Sequence, residues 1–226
     1  MYPRIFTASI LLVFIFCQST QCDRSPTNNC TSYVQDTILL NASVPNSNSV
    51  YHINDTIWIN SSISDNLTPL SGSGSFTKEL NQVYMNSQPY HVITSTSLPQ
   101  LQYANIEFNP VITEGLLQNL SYSGYNFLYK RTTALNTLKI GFVAGRTGLY
   151  VISSNNSLYS SGGSFSLIRG SDYCTTYYGI TSFSLAEQNR NYWDSLGVTA
   201  VSLPSNYGGT VIAKNMRNYF FFKVIP

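Results

Sequence analysis

"LKIGFVAGRTGLYVI", residues 138–152, is the stretch whose reading decides the fold. Leu138, Ile140 and Phe142 alternate with Lys139 and Gly141, the period of two that marks a strand buried on one face. Gly145-Arg146-Thr147-Gly148 supplies turn residues. Leu149-Tyr150-Val151-Ile152 then resumes a β-branched and aromatic run, so the stretch predicts a β-hairpin.

The same grammar recurs in both directions. Residues 56–60, TIWIN, are bounded by Asn54-Asp55 and Ser61-Ser62. In residues 125–130 the alternation puts Tyr125, Phe127 and Tyr129 on one face. Residues 164–168 and 198–203 read as further strands. Residues 218–225, NYFFFKVI, are too apolar on both sides for an exposed edge and predict a central strand buried on both faces. Residues 77–118 are the hardest to read, with Val83-Tyr84-Met85 and Ile106-Glu107-Phe108 as short strand candidates. Many short strands broken by turn residues predict a mainly β fold: an antiparallel β-sandwich, immunoglobulin-like or jelly-roll-like. One short helix is expected near residues 184–196. Ser184-Leu185-Ala186-Glu187 fits a capping box, Leu185, Tyr192, Trp193 and Leu196 share a helical face, and Gly197 supplies the stop.

The N-terminus sets the compartment. Arg4 precedes an uncharged apolar run over residues 5–16, and the polar CQSTQC follows. A basic start, a short apolar core and a polar exit predict a signal peptide over residues 1–21, with the mature chain starting between Thr20 and Asp23. The run is too short to span a bilayer, which needs roughly 20 apolar residues. The expected product is secreted or extracytoplasmic. Cys22, after Ser19-Thr20-Gln21, is a candidate lipid anchor at an outer-membrane or cell surface, with plain secretion as the other outcome.

If Cys17 leaves with the signal and Cys22 is lipidated or trimmed, Cys30 and Cys174 remain. In an oxidising compartment that pair predicts a disulfide. Structural zinc needs four close ligands, and His52 and His91 stand in no such spacing with a cysteine. A reactive thiolate needs a basic neighbour, whereas Cys174 has Asp172 and tyrosines. No metal and no cofactor is expected.

The 226 residues are 43% hydrophobic but only 10% charged, with 12 Lys and Arg against 10 Asp and Glu. An ordinary soluble domain carries about 25% charged residues. Without clustered Lys and Arg there is no electrostatic footprint for nucleic acid. The expected organisation is a single β-sandwich domain over 22–226. The alternative is a split near 71–75, where Ser71-Gly72-Ser73-Gly74-Ser75 has a flexible-linker composition, into two small β domains.

The export signal, "NDTIWI" at 54–59, "FVAGRTGLYVI" at 142–152 and "YFFFKV" at 219–224 together resemble uncharacterised exported β-sandwich proteins of Bacteroidota. The resemblance implies an immunoglobulin-like module, frequently lipid-anchored, and brings no catalytic residues with it.

Two functional classes remain. The first is a non-catalytic module for recognition or surface architecture, whose partner is a glycan or an extracellular protein. Tyrosine combines an apolar face with a hydroxyl, the chain has 17 of them, and Tyr173, Tyr177 and Tyr178 form the candidate binding cluster. The second is a secreted carbohydrate-active hydrolase using paired carboxylates drawn from Asp55, Asp65, Glu79, Glu107, Glu114, Asp172, Glu187 and Asp194. Serine catalysis lacks a G-x-S-x-G elbow and has only His52 and His91 as bases. Asn54, Asp55, Asn60 and Asp65 offer oxygen ligands for calcium, without EF-hand spacing. Glycosylation sequons begin at Asn29, Asn41, Asn54, Asn60, Asn66, Asn119 and Asn155.

Overall fold

The computed structural model describes residues 34–45, 48–72, 74–94, 99–121, 124–159, 167–169, 175–184, 201–202, 210–211 and 218–226. All of them belong to one unit, Val34–Pro226. The chain opens with β1 (Val34–Ser43), β2 (Val50–His52), β3 (Thr56–Ser64), β4 (Asn66–Leu67) and β5 (Phe76–Thr77). Next come β6 (Gln82–Ile93), β7 (Gln100–Tyr103), a 3-10 turn (Asn105–Glu107), β8 (Phe108–Glu114), β9 (Leu116–Ser121), β10 (Gly124–Leu128) and β11 (Lys130–Arg131). It continues through β12 (Leu135–Ala144), β13 (Gly148–Tyr159), β14 (Leu167–Arg169) and β15 (Thr175–Ser184). The last strands are β16 (Val201–Ser202), β17 (Thr210–Val211) and β18 (Tyr219–Ile225).

These strands build two large sheets and a two-stranded ribbon of β4 and β5. The first sheet runs β11-β12-β3-β1-β15-β14, with β8 also paired to β12. The second runs β17-β16-β7-β6-β13-β18-β2, with β10 and then β9 added beside β6. The inward residues of both sheets make one core. Ile57 and Ile59 of β3 and Ile140 and Phe142 of β12 are fully buried against Met85, Phe127, Tyr150, Phe220 and Phe222 of the other sheet. Aromatic rings lock the layers: Phe142 meets Tyr125 at 5.4 Å and Phe127 at 6.0 Å, and Phe108 meets Tyr150 edge-on at 5.0 Å. Such pairs add about 0.5–1.5 kcal/mol each beyond the area they bury. The fold is a mainly β sandwich, as the alternation predicts.

Three details differ from the sequence expectation, and a fourth expectation lies outside the described residues. Both strands of the 138–152 hairpin exist, yet they do not pair: β12 pairs with β3, β8 and β11, and β13 with β6 and β18. Residues 145–147 carry the chain from one sheet to the other as an arch. Alternation marks which residues face the core, and it is the same for an arch as for a hairpin. The sheets are also mixed, since β1–β15, β18–β2 and β16–β7 run parallel. Ile106 and Glu107 lie in the 3-10 turn, with Ile106 fully exposed, and only Phe108 begins a strand. The helix expected at 184–196 falls, beyond Ser184 at the end of β15, outside the described residues; among those, the only helical element is the 3-10 turn.

The closing strand follows its prediction. Lying between β13 and β2, β18 buries Phe220 and Phe222 in the inter-sheet core. Its Tyr219 and Phe221 join Tyr90, Val92, Leu101 and Val151 in a second cluster on the opposite face of the sheet. Strands on either side of residues 71–75 are bonded to one another, β3 to β12 and β1 to β15.

Candidate binding face

The first sheet turns a polar face away from the core, and its composition follows from the strand period. On β3, Ile57, Ile59, Ser61 and Ile63 point inward, which leaves Thr56, Trp58, Asn60 and Ser62 on the other face. The pairing registers set Trp58 beside Gly141, Asn60 beside Lys139 and Ser62 beside Thr137 on β12. On the other side of β3, Ser43 of β1 is opposite Asn60. Glu114, at the end of β8, is opposite Lys139. A groove of about 420 Å3 runs over these strands, lined on this face by Asn41, Ser43, Asn60, Ser62, Glu114, Thr137 and Lys139.

Trp58, half-buried, does not line this groove itself but lies on the same face of β3, two positions before Asn60. Its ring position depends on Gly141: a Cβ there would stand 2.4 Å from the Thr56 Cγ2 and 3.1 Å from two carbons of the indole. Real Cβ atoms do not approach so closely, so glycine is what lets the ring lie across the neighbouring strand. The Lys139 ammonium sits 5.7 Å from the indole centroid, a cation–π contact on a flexible stem. The Oδ1 of Asn60 is buried without a hydrogen-bond partner. An aromatic face beside amides and hydroxyls suits a guest that is apolar on one side and hydroxylated at its rim. Among the described residues the groove has one carboxylate, Glu114, and one cation, Lys139.

The tyrosine cluster read from the sequence is placed in part. Tyr177 and Tyr178 are consecutive positions of β15, between β1 and β14, in register with Asp36 and Thr37. Consecutive strand positions belong to opposite faces of a sheet. Tyr173 and Cys174 lie outside the described residues, as do Cys22 and Cys30.

Three of the candidate acids are engaged within the fold, two of them, Asp55 and Glu107, on the segments either side of Ala144. Asp65 grips Arg131 through both nitrogens at 2.6 and 2.7 Å. Glu107 accepts from the Tyr150 hydroxyl and, at 3.3 Å, from Arg146. Asp55 accepts the backbone N–H of His52 at 2.7 Å. Asp172, Glu187 and Asp194 lie outside the described residues. The four calcium candidates do not converge. Asn54 and Asp55 precede β3 and Asp65 follows it, and ten strand positions separate Asp55 from Asp65 by about 33 Å. His52 is exposed beside Asp55, while His91 stacks on Tyr150 at 5.0 Å.

Sequence reading missed Trp58 as a surface residue, treating it as one member of an apolar strand. The signal was present: Thr56, Trp58, Asn60 and Ser62 share a parity, and tryptophan is the lone large ring among polar residues.

No family model matches the chain, and no curated protein matches it in sequence. Among solved structures, it is similar to the non-cellulosomal cohesin from the hyperthermophilic archaeon Archaeoglobus fulgidus, with a TM-score of 0.30 and 8% identity, over 70% of this chain and 98% of that one. It is also similar to PapD-like domain 7 of human CEP192, with a TM-score of 0.27 and 11% identity, over 67% of this chain and 82% of that one. The CupB6 tip adhesin of Pseudomonas aeruginosa gives a TM-score of 0.22 and 13% identity, over 69% of this chain and 43% of that one. At such scores the likeness carries no argument about function, and the strand pairings above establish the sandwich by themselves.

Proposed function

We propose that the protein is a non-catalytic, extracytoplasmic recognition module, and that the outer face of its first sheet binds a sugar. The export signal at the N-terminus supports the compartment. One observation carries the ligand class: the indole of Trp58, packed against Gly141 and in contact with Lys139, stands next to a groove bordered by amides and hydroxyls. A pyranose ring presents a C–H face to such an indole and its equatorial hydroxyls to the amides around it. The acids favour recognition over hydrolysis, because Asp55, Asp65 and Glu107 are each committed to hydrogen bonds within the fold.

A glycan array followed by titration of any hit tests this. Trp58→Ala should weaken binding by about tenfold, an interaction loss near 1.4 kcal/mol, while the protein keeps a cooperative melt because Trp58 lies outside the core. Unchanged affinity in Trp58→Ala overturns the assignment of this face. Polysaccharide hydrolysis abolished by Glu114→Gln overturns the non-catalytic reading.

A further inference from the structure

The outer face of the second sheet carries a feature that the Trp58 face does not explain. The registers set Asn119 of β9 opposite Asn126 of β10, Asn126 opposite Asn86 of β6, and Asn86 opposite Asn155 of β13. Neighbouring strands lie about 4.8 Å apart, so four carboxamides stand in a line about 14 Å long. Asn218, just before β18, extends the line by donating its Nδ2 to the Oδ1 of Asn155 at 3.1 Å.

The row is not a flat surface. A cavity of about 170 Å3 opens along it, with Ser87, Gln88 and Ser153 contributing to its lining and no charged residue among the lining groups. Asn126, in the middle of the row, has its Oδ1 buried without a hydrogen-bond partner. Buried polar atoms are almost always satisfied, and an exception asks for an unseen partner. The groups around this one restrict what the partner is. An anion would want arginine or lysine, and a hard cation would want carboxylates; neither lines the cavity. An apolar guest would strand the amides. Carboxamides donate and accept side by side without charge, which matches vicinal hydroxyls. Their repeat, one per strand, is close to the spacing of successive rings in an extended polysaccharide.

We propose that the asparagine row is a second binding site, a hydrogen-bonding track for an extended neutral polysaccharide that runs across β9, β10, β6 and β13. Asn126 is its centre and Asn86 and Asn119 flank it. The track stands on the sheet opposite Trp58 and does not depend on the first site.

Affinity electrophoresis through gels cast with hydroxyethylcellulose, glycol chitin, xylan or laminarin tests the proposal on the full exported chain. At least one of these polymers should retard the wild-type protein. Asn86→Ala, an exposed change, and Asn126→Ala should each weaken that retardation by about tenfold. Asn126→Ala should leave the melting temperature unchanged or raised, because it deletes an unpartnered buried oxygen. Trp58→Ala should retain the part of the retardation that the asparagine variants remove. The proposal falls if no gel retards the protein, or if both asparagine variants migrate as wild type. It also falls if retardation is lost in Trp58→Ala alone, an outcome that leaves the first site standing. N-linked glycans found by mass spectrometry on Asn119 or Asn155 of the native protein would overturn it as well, since the track would then be capped by its own modification.

Discussion

Asp65 sits where β3 gives way to β4, and three donors from two residues converge on it. Both nitrogens of the Arg131 guanidinium reach its carboxylate, and the Leu80 N–H reaches Oδ1 at 3.1 Å. Arg131, the largest influence, holds the Asp65 pKa below the ordinary 3.8. A carboxyl whose folded pKa is depressed contributes its full stabilisation above the unfolded-state value and loses it as pH falls through the folded one. The loss therefore belongs below pH 3.8. Arg131→Met should lower stability near neutrality by roughly 1.5–3 kcal/mol, the range for hydrogen bonds to charged groups, and should flatten the acid limb. Urea unfolding at a series of pH values reads both effects; parallel wild-type and variant curves would remove Asp65 from the account. Glu107 does comparable work at the arch. The Tyr150 hydroxyl donates to it, and burial followed by this carboxylate pushes the phenol upward. Tyr150→Phe removes this donor, leaves Glu107 with the exposed Arg146, and should cost about 1 kcal/mol in the same assay.

At the scale of elements, the strands were legible in the sequence and their partners were not. Leu138, Ile140, Phe142, Tyr150 and Ile152 are all buried, as the alternation of residues 138–152 requires. Whether the second run lies beside the first or across the core from it depends on the arch, where the Gly145 N–H bonds to the Glu107 carbonyl at 2.9 Å. That contact joins positions 38 apart in sequence, beyond the reach of local pattern. Gly115 makes a comparable crossing between β8 and β9. It has φ of +97°, and a Cβ there would meet the Leu128 carbonyl oxygen at 2.7 Å. The binding face was illegible for a related reason: Trp58 becomes a platform only because Gly141 is its cross-strand neighbour. Gly141→Ala isolates this effect. Overpacking should destabilise the protein by about 1–3 kcal/mol and shift the indole, changing its fluorescence in a Trp193→Phe background. An unshifted spectrum with full stability would show that the ring does not rest on Gly141.

The whole molecule is held by pairings between distant parts of the chain. The parallel pair β1–β15 joins Val34–Ser43 to Thr175–Ser184 over ten matched positions, and β18 returns to lie beside β2. Parallel neighbours need long connections, so nothing in residues 34–43 could announce their partner. The doubly apolar run 219–224 could, and it was readable for that reason: a strand with no polar face has to be covered on both. Its position makes the closing strand a condition of folding. Phe220 and Phe222 fill the inter-sheet core, Tyr51 packs edge-on to Phe222 at 5.7 Å, and Tyr219 and Phe221 complete the second cluster. Losing a buried phenylalanine costs about 3–5 kcal/mol, and a domain has about 5–15 kcal/mol in all. Removing residues 219–226 should therefore abolish the cooperative melt, expose β2 and β13 as open edges and drive aggregation. Phe221→Ala, in the second cluster rather than the inter-sheet core, should instead lower the melting temperature and keep a single transition. Circular dichroism melts of the two variants decide the matter. A truncated chain that still unfolds cooperatively would mean that β18 decorates a sandwich already complete without it.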